Sequence, residues 1–443
     1  MLFVARERAR RVERPRTPAA ADDVEHVVIS RRDLGVVGHK PSLPSIIERL
    51  MAAFLDSVPI SGIIRIRDMM YTVDKPFRLD QGDVVFDAPQ TIKDALIKAV
   101  HDNRTHYLPT VGVPRLLELI SEKLRTKNKL PIEGTQDLMV TTGGIHGQYI
   151  VCQALFEAGD EVLVPDPCWP PTASIIQTAH AVPVPYPLYA EKAWRPDIAE
   201  IASKVTPRTK AIVITTPHNP TGGVLTRSDI EGIAALAIEK NLWVLADEAY
   251  EDFVWDGEHV SIASLPGMYE RTIPLHTFSK TYAITGLRLG YVAIKDKVIR
   301  SRAHKLLLYT ASNISSIVQY AGIGALEGPQ DCIQQFRAEL LQRRKLFFDG
   351  IREKAGNVLT GQTAAGAFYA FLKIRPDWKS PIGGDNASLS WAMTEYLIKQ
   401  GRVGCIPGAD FGPRGEGYIR LCYARGTEEL RGALEAIGAL LHG

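Results

Sequence analysis

The chain reads as an α/β protein with a large domain on a mostly parallel central sheet with flanking helices, plus a smaller α+β domain. Two patterns predict this. From Pro89 to Leu326, short apolar runs alternate with helical patterns, as in a parallel sheet covered on both faces. From Asp331 the alternation gives way to a long charged helical pattern, Gln334 to Lys354, and then the strand-like run Ala364 to Leu372. At 443 residues the chain has room for two or three domains with ample core. The expected division is a basic extension and linker over 1–45, part of the smaller domain over 46–88, the large domain over 89–326, and the rest of the smaller domain over 327–443. The smaller domain is therefore discontinuous.

The elements follow in order. Arg6, Arg8, Arg10, Arg11, Arg14 and Arg16 crowd the start without the apolar core of a secretory signal. Glu7, Glu13, Asp22 and Asp23 count against a transit peptide, so the stretch reads as a flexible tail or a start placed too early. Pro41 to Pro44 is a linker, and a helix rich in Ile, Leu and Met runs from Ser45 to about Leu55. Val182 to Leu188 is a Pro-rich loop. Ala211 to Thr215 is a buried strand entering the turn Thr216-Pro217-His218-Asn219-Pro220-Thr221-Gly222. Asn241 to Ala246 is an apolar strand ending in Asp247-Glu248-Ala249-Tyr250, and Arg271 to Leu275 is a short strand before Lys280.

Lys280 carries the most information. It lies just past a strand end, where α/β proteins bind ligands. Thr277 and Ser279 precede it, and Arg288 follows eight positions on. A lysine amine near an arginine and away from bulk water has a depressed pKa and can attack an aldehyde to form an imine. The hydroxyls and Arg288 suit a phosphate. An imine-forming lysine beside a phosphate cradle points to pyridoxal 5'-phosphate. That cofactor needs a carboxylate at its ring nitrogen, and Asp247 is the candidate; Tyr250 and Asn219 are placed to reach the ring 3-oxygen.

These residues carry a resemblance. Pro-His-Asn-Pro-Thr-Gly, Asp-Glu-Ala-Tyr, and Ser-Lys followed by Gly-x-Arg-x-Gly stand in the order found in class I/II aminotransferases. The chain resembles that family, of pyridoxal phosphate fold type I, from about Ser61 to its C-terminus. The resemblance implies further roles. Leu138 to Ile145 is similar to a strand, glycine turn and helix start at which the amides of Gly144 and Ile145 bind phosphate. Trp169 matches an aromatic stacked on the cofactor ring. Tyr107 matches a tyrosine that crosses a homodimer interface to the partner's phosphate. Arg420 matches the arginine that anchors the substrate α-carboxylate, and Gly82 a glycine near that carboxylate. Thr277 stands where many relatives have serine, and the hydroxyl survives.

The implied activity is transfer of an amino group from an L-amino acid to a 2-oxo acid, by a ping-pong course through pyridoxamine phosphate. Lys280, Asp247 and Tyr250 would be the catalytic set. Other pyridoxal phosphate reactions, namely β-elimination, decarboxylation and oxidation, use the same residues. A transcription regulator built on such a domain is a further alternative, but the residues before Ser61 lack a three-helix DNA-binding pattern. Bland readings stand beside several assignments. Trp169 is also explained as core, Tyr107 as a helix-entry aromatic, and Arg420 as the partner of a structural carboxylate. His218 reads as orienting its turn and His146 as lying behind the phosphate turn; Cys168 and Cys422 are given no chemistry. Enzymes acting on dicarboxylates need a second cation for the side-chain carboxylate, and no position declares itself.

Composition bounds the partners. Hydrophobic content of 45% with 23% charged residues is that of a globular enzyme. A net charge of +2 gives no strong attraction to nucleic acid or anionic membrane. The five cysteines show no C-x-x-C pairing, which fits neither a zinc site nor a disulfide framework and makes a cytoplasmic location the default. No metal is expected, and no apolar run is long enough to span a membrane.

Overall fold

A computed structural model describes residues 53–383 and 388–441. The chain divides into two units, Met1–Ser57 and Val58–Gly443. Of the first, only a 3-10 helix over Ala53–Ser57 is described. The expected extension over 1–45, and most of the helix expected from Ser45, lie outside the described residues.

The second unit holds two sheets. The larger contains β1 (Leu138–Thr141), β2 (Glu161–Asp166), β3 (Val182–Tyr189), β4 (Arg195–Pro196), β5 (Thr209–Thr215), β6 (Trp243–Asp247), β7 (Thr272–Thr277) and β8 (Gly290–Ala293). Its spatial order is β1-β8-β7-β6-β5-β2-β3-β4. The neighbours from β7 through β6, β5 and β2 to β3 all pair in parallel. β8 and β4 run against the strands they pair with.

The strand sequences explain this sheet. Val162, Val164, Val213 and Leu245 enter one apolar cluster, whereas Leu163, Ile212, Ile214 and Val244 enter another. Successive residues point to opposite faces, and helices cover both. The runs are therefore continuously apolar rather than alternating.

Val182 to Leu188 corrects the sequence reading: it is a strand, not a loop. β3 pairs with β2 over its first six residues but with β4 only at Leu188 and Tyr189. Pro183, Pro185 and Pro187 recur every second residue. Their missing N–H groups therefore all fall on one side of the strand, away from β2. A proline run at this period is compatible with an edge whose outer side is mostly unpaired.

The smaller sheet contains β9 (Leu359–Thr360), β10 (Tyr369–Ile374), β11 (Ile406–Pro407) and β12 (Tyr418–Cys422), in the order β11-β12-β10-β9. All its pairs are antiparallel. The charged pattern expected over Gln334 to Lys354 is a helix over Asp331–Ala355, and it packs with the helix Thr427–Leu441 in the same apolar cluster as β10 and β12. Residues 77–79 hook onto this layer. Phe77 bridges Val403, and the Cys422 N–H donates to the Leu79 carbonyl at 2.8 Å. That hook brings the Asp80 carbonyl within 2.7 Å of Arg420 Nη2.

Between the sheet and the glycine turn after β1 there is no spare volume. A Cβ at Gly290 would lie 2.7 Å from the Gly143 carbonyl carbon and 2.8 Å from both Gly144 N and His276 O. All three neighbours are backbone, so none moves aside cheaply. Gly290→Ala is expected to destabilise the protein by ~1–3 kcal/mol, as overpacking does. A lowered urea midpoint would register this; an unchanged midpoint would show that the turn yields.

Candidate active site

A cavity of about 500 Å³ opens at the C-terminal ends of β5, β6 and β7. These strands run in register, with Thr215 opposite Asp247 and Asp247 opposite Leu275. The segments leaving them therefore deliver Asn219, Asp247 and Lys280 to one edge. Gly82, Gly144, Ile145, Trp169, Tyr250, Thr277, Ser279, Arg288 and Arg420 line the same cavity. Tyr107 does not: it is 90% exposed, in the loop before the helix Pro114–Thr126.

Lys280 lies in the short helix Phe278–Thr281, which Thr277 caps by accepting from the Ser279 N–H at 3.1 Å. Its Nζ donates to the Gly82 carbonyl at 2.5 Å. Burial pushes the amine down to about 8; Asp83 and Cys422 oppose this, and Arg420 and Arg288 add to it. A far larger share of the amine than in an ordinary lysine is thus neutral near physiological pH, the form with a free lone pair.

Asp247 ends β6 and accepts from the Ala249 N–H at 3.1 Å. Burial pushes its carboxyl up to about 6, with Glu248 adding to the rise. A cation brought against it would restore the charged form. Glu248, next in the chain, points away into a separate polar cluster. It accepts from Ser261 Oγ at 2.6 Å and lies 3.1 Å from His259 Nε2. The Tyr250 hydroxyl sits 2.8 Å from that of Tyr369, and burial holds both phenols neutral.

The anion-binding side is built around glycine. Gly143 has φ +72°, and a Cβ there would stand 2.4 Å from Arg288 Nη2. Its absence lets the guanidinium lie against the start of the helix Gly143–Leu155. Arg288 is itself left-handed, at φ 58°, and donates through Nη1 to the Thr285 carbonyl at 2.7 Å. Thr277 Oγ1 and Ser279 Oγ lie 2.8 Å apart. Amides at a helix start, two hydroxyls and a guanidinium form an anion cradle.

Arg420 stands on β12 opposite Phe371 and Ile406. It donates to Asn219 Oδ1 at 3.1 Å and to the Asp80 carbonyl at 2.7 Å, while its buried Nε has no partner. The rings of Tyr369 and Phe411 flank it at 4.7 and 5.1 Å. Among the described residues it makes no ion pair, so the alternative of a structural carboxylate partner finds no support. A buried guanidinium without a carboxylate is costly, and an incoming anion relieves that cost.

The donor set fits pyridoxal phosphate. The cradle suits its phosphate, Asp247 a protonated ring nitrogen, and Lys280 its aldehyde; the volume is that of a cofactor site. His218 sits outside this cavity with Nδ1 2.8 Å from Thr221 Oγ1, in keeping with a turn-orienting role. Burial holds it neutral, at about 3. His146 is behind the glycine turn: the Thr142 N–H donates to its Nδ1 at 3.2 Å. The Cys168 and Cys422 thiols are pushed up to about 12 and 11 by burial.

Sequence reasoning missed several lining residues. Tyr369 lies within the run Ala364 to Leu372, which the sequence marks only as a strand. A Cβ at Gly82 would lie 2.2 Å from its hydroxyl, which explains the glycine there. The available signal was the period of β10, which puts Tyr369 on the same face as Phe371, the partner of Arg420. Asp83 and Thr285 also line the cavity, hydrogen-bonded to each other at 2.7 Å. Ile63 and Arg67 reach it from the helix Gly62–Tyr71.

Known proteins resemble the chain over most of its length. The family model described as aminotransferase class I and II matches residues 74–437. An aspartate aminotransferase of Pyrococcus abyssi is 36% identical over 394 residues, 88% of this chain and 98% of that protein. An aromatic-amino-acid aminotransferase of Thermococcus litoralis is 36% identical over 391 residues, 87% of this chain and 97% of that one. The solved structure of Thermus thermophilus aspartate aminotransferase with maleate superimposes with a TM-score of 0.80 at 30% identity, covering 88% and 99% of the two chains.

The lowered Lys280 amine yields a prediction. Reductive methylation of cofactor-free protein with formaldehyde, read by peptide mass spectrometry, should rise with pH and level off at about 8. A modification rate still climbing toward ~10.4, the value of an ordinary lysine, would contradict the buried placement.

Proposed function

We propose roles for the residues of this cavity from the premise that the chain belongs to the class I and II aminotransferase family. The protein is a pyridoxal 5'-phosphate-dependent aminotransferase of fold type I, moving an amino group from an amino acid to a 2-oxo acid in a ping-pong course. Bound pyridoxal phosphate supplies the aldehyde that takes up the amino group and a ring that draws electrons from the substrate Cα. The chain supplies orientation, charge and a proton carrier.

Arg420 holds the substrate α-carboxylate, with its guanidinium fixed by Asn219 Oδ1 and the Asp80 carbonyl. Lys280 Nζ is the base that takes the Cα proton and returns it elsewhere; its amine, lowered to about 8, is suited to both directions of transfer. Asp247 holds the ring nitrogen cationic. Arg288, Thr277, Ser279 and the amides of Gly144 and Ile145 hold the phosphate. Trp169 walls the ring, and Asn219 with Tyr250 directs the ring 3-oxygen. Gly82 admits the Tyr369 hydroxyl beside Tyr250. Residues that hold the cofactor ring and the carboxylate together would orient the substrate Cα for proton transfer to Lys280, which is catalysis by orientation. The observation carrying this reading is the buried, lowered Lys280 amine at the meeting point of an anion cradle, a buried carboxylate and an unpaired arginine.

The same reading extends to assembly. We propose a homodimer in which Tyr107 serves the partner's phosphate site, supported by its 90% exposure away from its own cavity. The division into 46–88 with 327–443, against 89–326, is supported by the hook of residues 77–79 on the smaller sheet. A cytoplasmic location is supported by the five free cysteines. No described helix is long and apolar enough to cross a membrane.

The test is a single half-reaction. Each amino acid is added to the cofactor-loaded protein without any 2-oxo acid. One equivalent of 2-oxo acid per site, with the amino group retained by the protein, is expected. Accumulating ammonia would mean elimination or oxidation instead. Lys280→Ala should lower the rate by ~10²–10⁴-fold or more, the usual share of a positioned proton carrier; turnover like the native protein's would remove Lys280 from this role. Arg420→Ala should raise the apparent KM ~10²-fold, as expected when a hydrogen-bonded charge pair is cut. Unchanged kinetics would take Arg420 out of the site.

A further inference from the structure

We propose that Arg67 selects the substrate side chain, so that the amino donors preferred by this aminotransferase are those with an acidic side chain. The proposal rests on the function assigned above. Four cationic side chains line the cavity: Arg67, Lys280, Arg288 and Arg420. Three are committed, to the proton, the phosphate and the α-carboxylate. Arg67 alone has no role in the shared chemistry.

Its placement suits a side-chain subsite. Ile63 and Arg67 are four residues apart on the helix Gly62–Tyr71 and so share a face, and both line the cavity. Ile66 and Met70, on the adjoining part of the same face, are 0% and 1% exposed and hold the helix to the core. Its first turn is capped by Ser61, which accepts from the Ile63 N–H at 3.3 Å. The backbone under Arg67 is thus fixed while its long side chain stays adjustable. Apolar Ile63 and Ile145 can flank substrate methylenes, with the guanidinium one turn beyond Ile63 to meet a charged end.

Arg67 is also available. Its Nε and Nη2 donate to Asp68 Oδ1 at 3.0 and 2.8 Å, and this is its only ion pair among the described residues. The two side chains are 48% and 60% exposed. Exposed pairs contribute little, so the guanidinium can exchange Asp68 for a substrate carboxylate that it grips through two parallel bonds. The acidic groups of the wall do not compete. Asp80 is paired with Arg78, at 2.9 Å through each oxygen, and Asp83 Oδ1 holds Thr285 and the Val84 N–H.

The experiment compares cofactor-loaded native protein with R67Q and R67K. Half-reactions with aspartate, glutamate, leucine and phenylalanine avoid any 2-oxo acid, whose own carboxylates would confuse the result. In R67Q the ratio of acidic to neutral donor efficiency should fall at least ~30-fold, the equivalent of one charge-assisted contact, and R67K should restore part of it. An unchanged ratio, whether all donors decline together or none does, overturns the proposal. So does a native protein that uses leucine or phenylalanine in preference to both acids. If no donor yields a 2-oxo acid, the aminotransferase reading itself falls, and this inference with it.

Discussion

The site depends on the register of three parallel strands. Thr215, Asp247 and Leu275 stand side by side across β5, β6 and β7. Because these strands run the same way, their outgoing segments must all leave at one edge. Asn219, Asp247 and Lys280, far apart in the chain, are brought together by that constraint alone. A one-residue slip would turn each strand's apolar side chains to the opposite face. The two apolar clusters on either side of the sheet therefore fix the site as firmly as they fix the fold.

Burial then sets the chemistry of what the strands deliver. The same exclusion of water lowers the Lys280 amine and raises the Asp247 carboxyl. Each group is biased toward its neutral form while it lacks a charged partner, and each gains from a partner of opposite sign. Arg420 is a more extreme case, since guanidinium does not neutralise. Its flanking rings and two neutral acceptors hold it in place without cancelling its charge. Glu248 shows the complementary arrangement. His259 and Ser261 engage it on the far side of the loop, so of two consecutive carboxylates only Asp247 faces the cavity.

Legibility in the sequence followed the same physics. Strand ends were readable because both-face burial writes continuous apolar runs, and the turns that follow are rich in Pro, Asn and Gly. Lys280, Asp247, Asn219 and Arg288 were found there by chemical demand on each strand end. β3 was misread because proline density usually marks a loop; its period of two, which makes the run compatible with an edge strand, carries the opposite meaning. Tyr369 and Asp83 were missed because their roles come from contacts across the chain. Tyr369 meets Tyr250 and the backbone at Gly82, and neither neighbour is visible from its own segment.

The helix Gly62–Tyr71 was not singled out in the sequence. The family match begins at residue 74, just beyond it. Every residue assigned to the cofactor or to the α-carboxylate falls inside the matched span, as it should if those groups are common to all substrates. Ile63 and Arg67 fall outside it, on an element held to the core by two buried side chains rather than by a sheet. A change at Arg67 leaves the strand register and the buried charges untouched. The two functions of the cavity are thus carried by physically separable parts. The sheet edge is constrained by packing on both faces, whereas Ile63 and Arg67 sit on a short helix at the border between its buried side and the cavity. The relatives that share this fold are named for aspartate in one case and for aromatic amino acids in another.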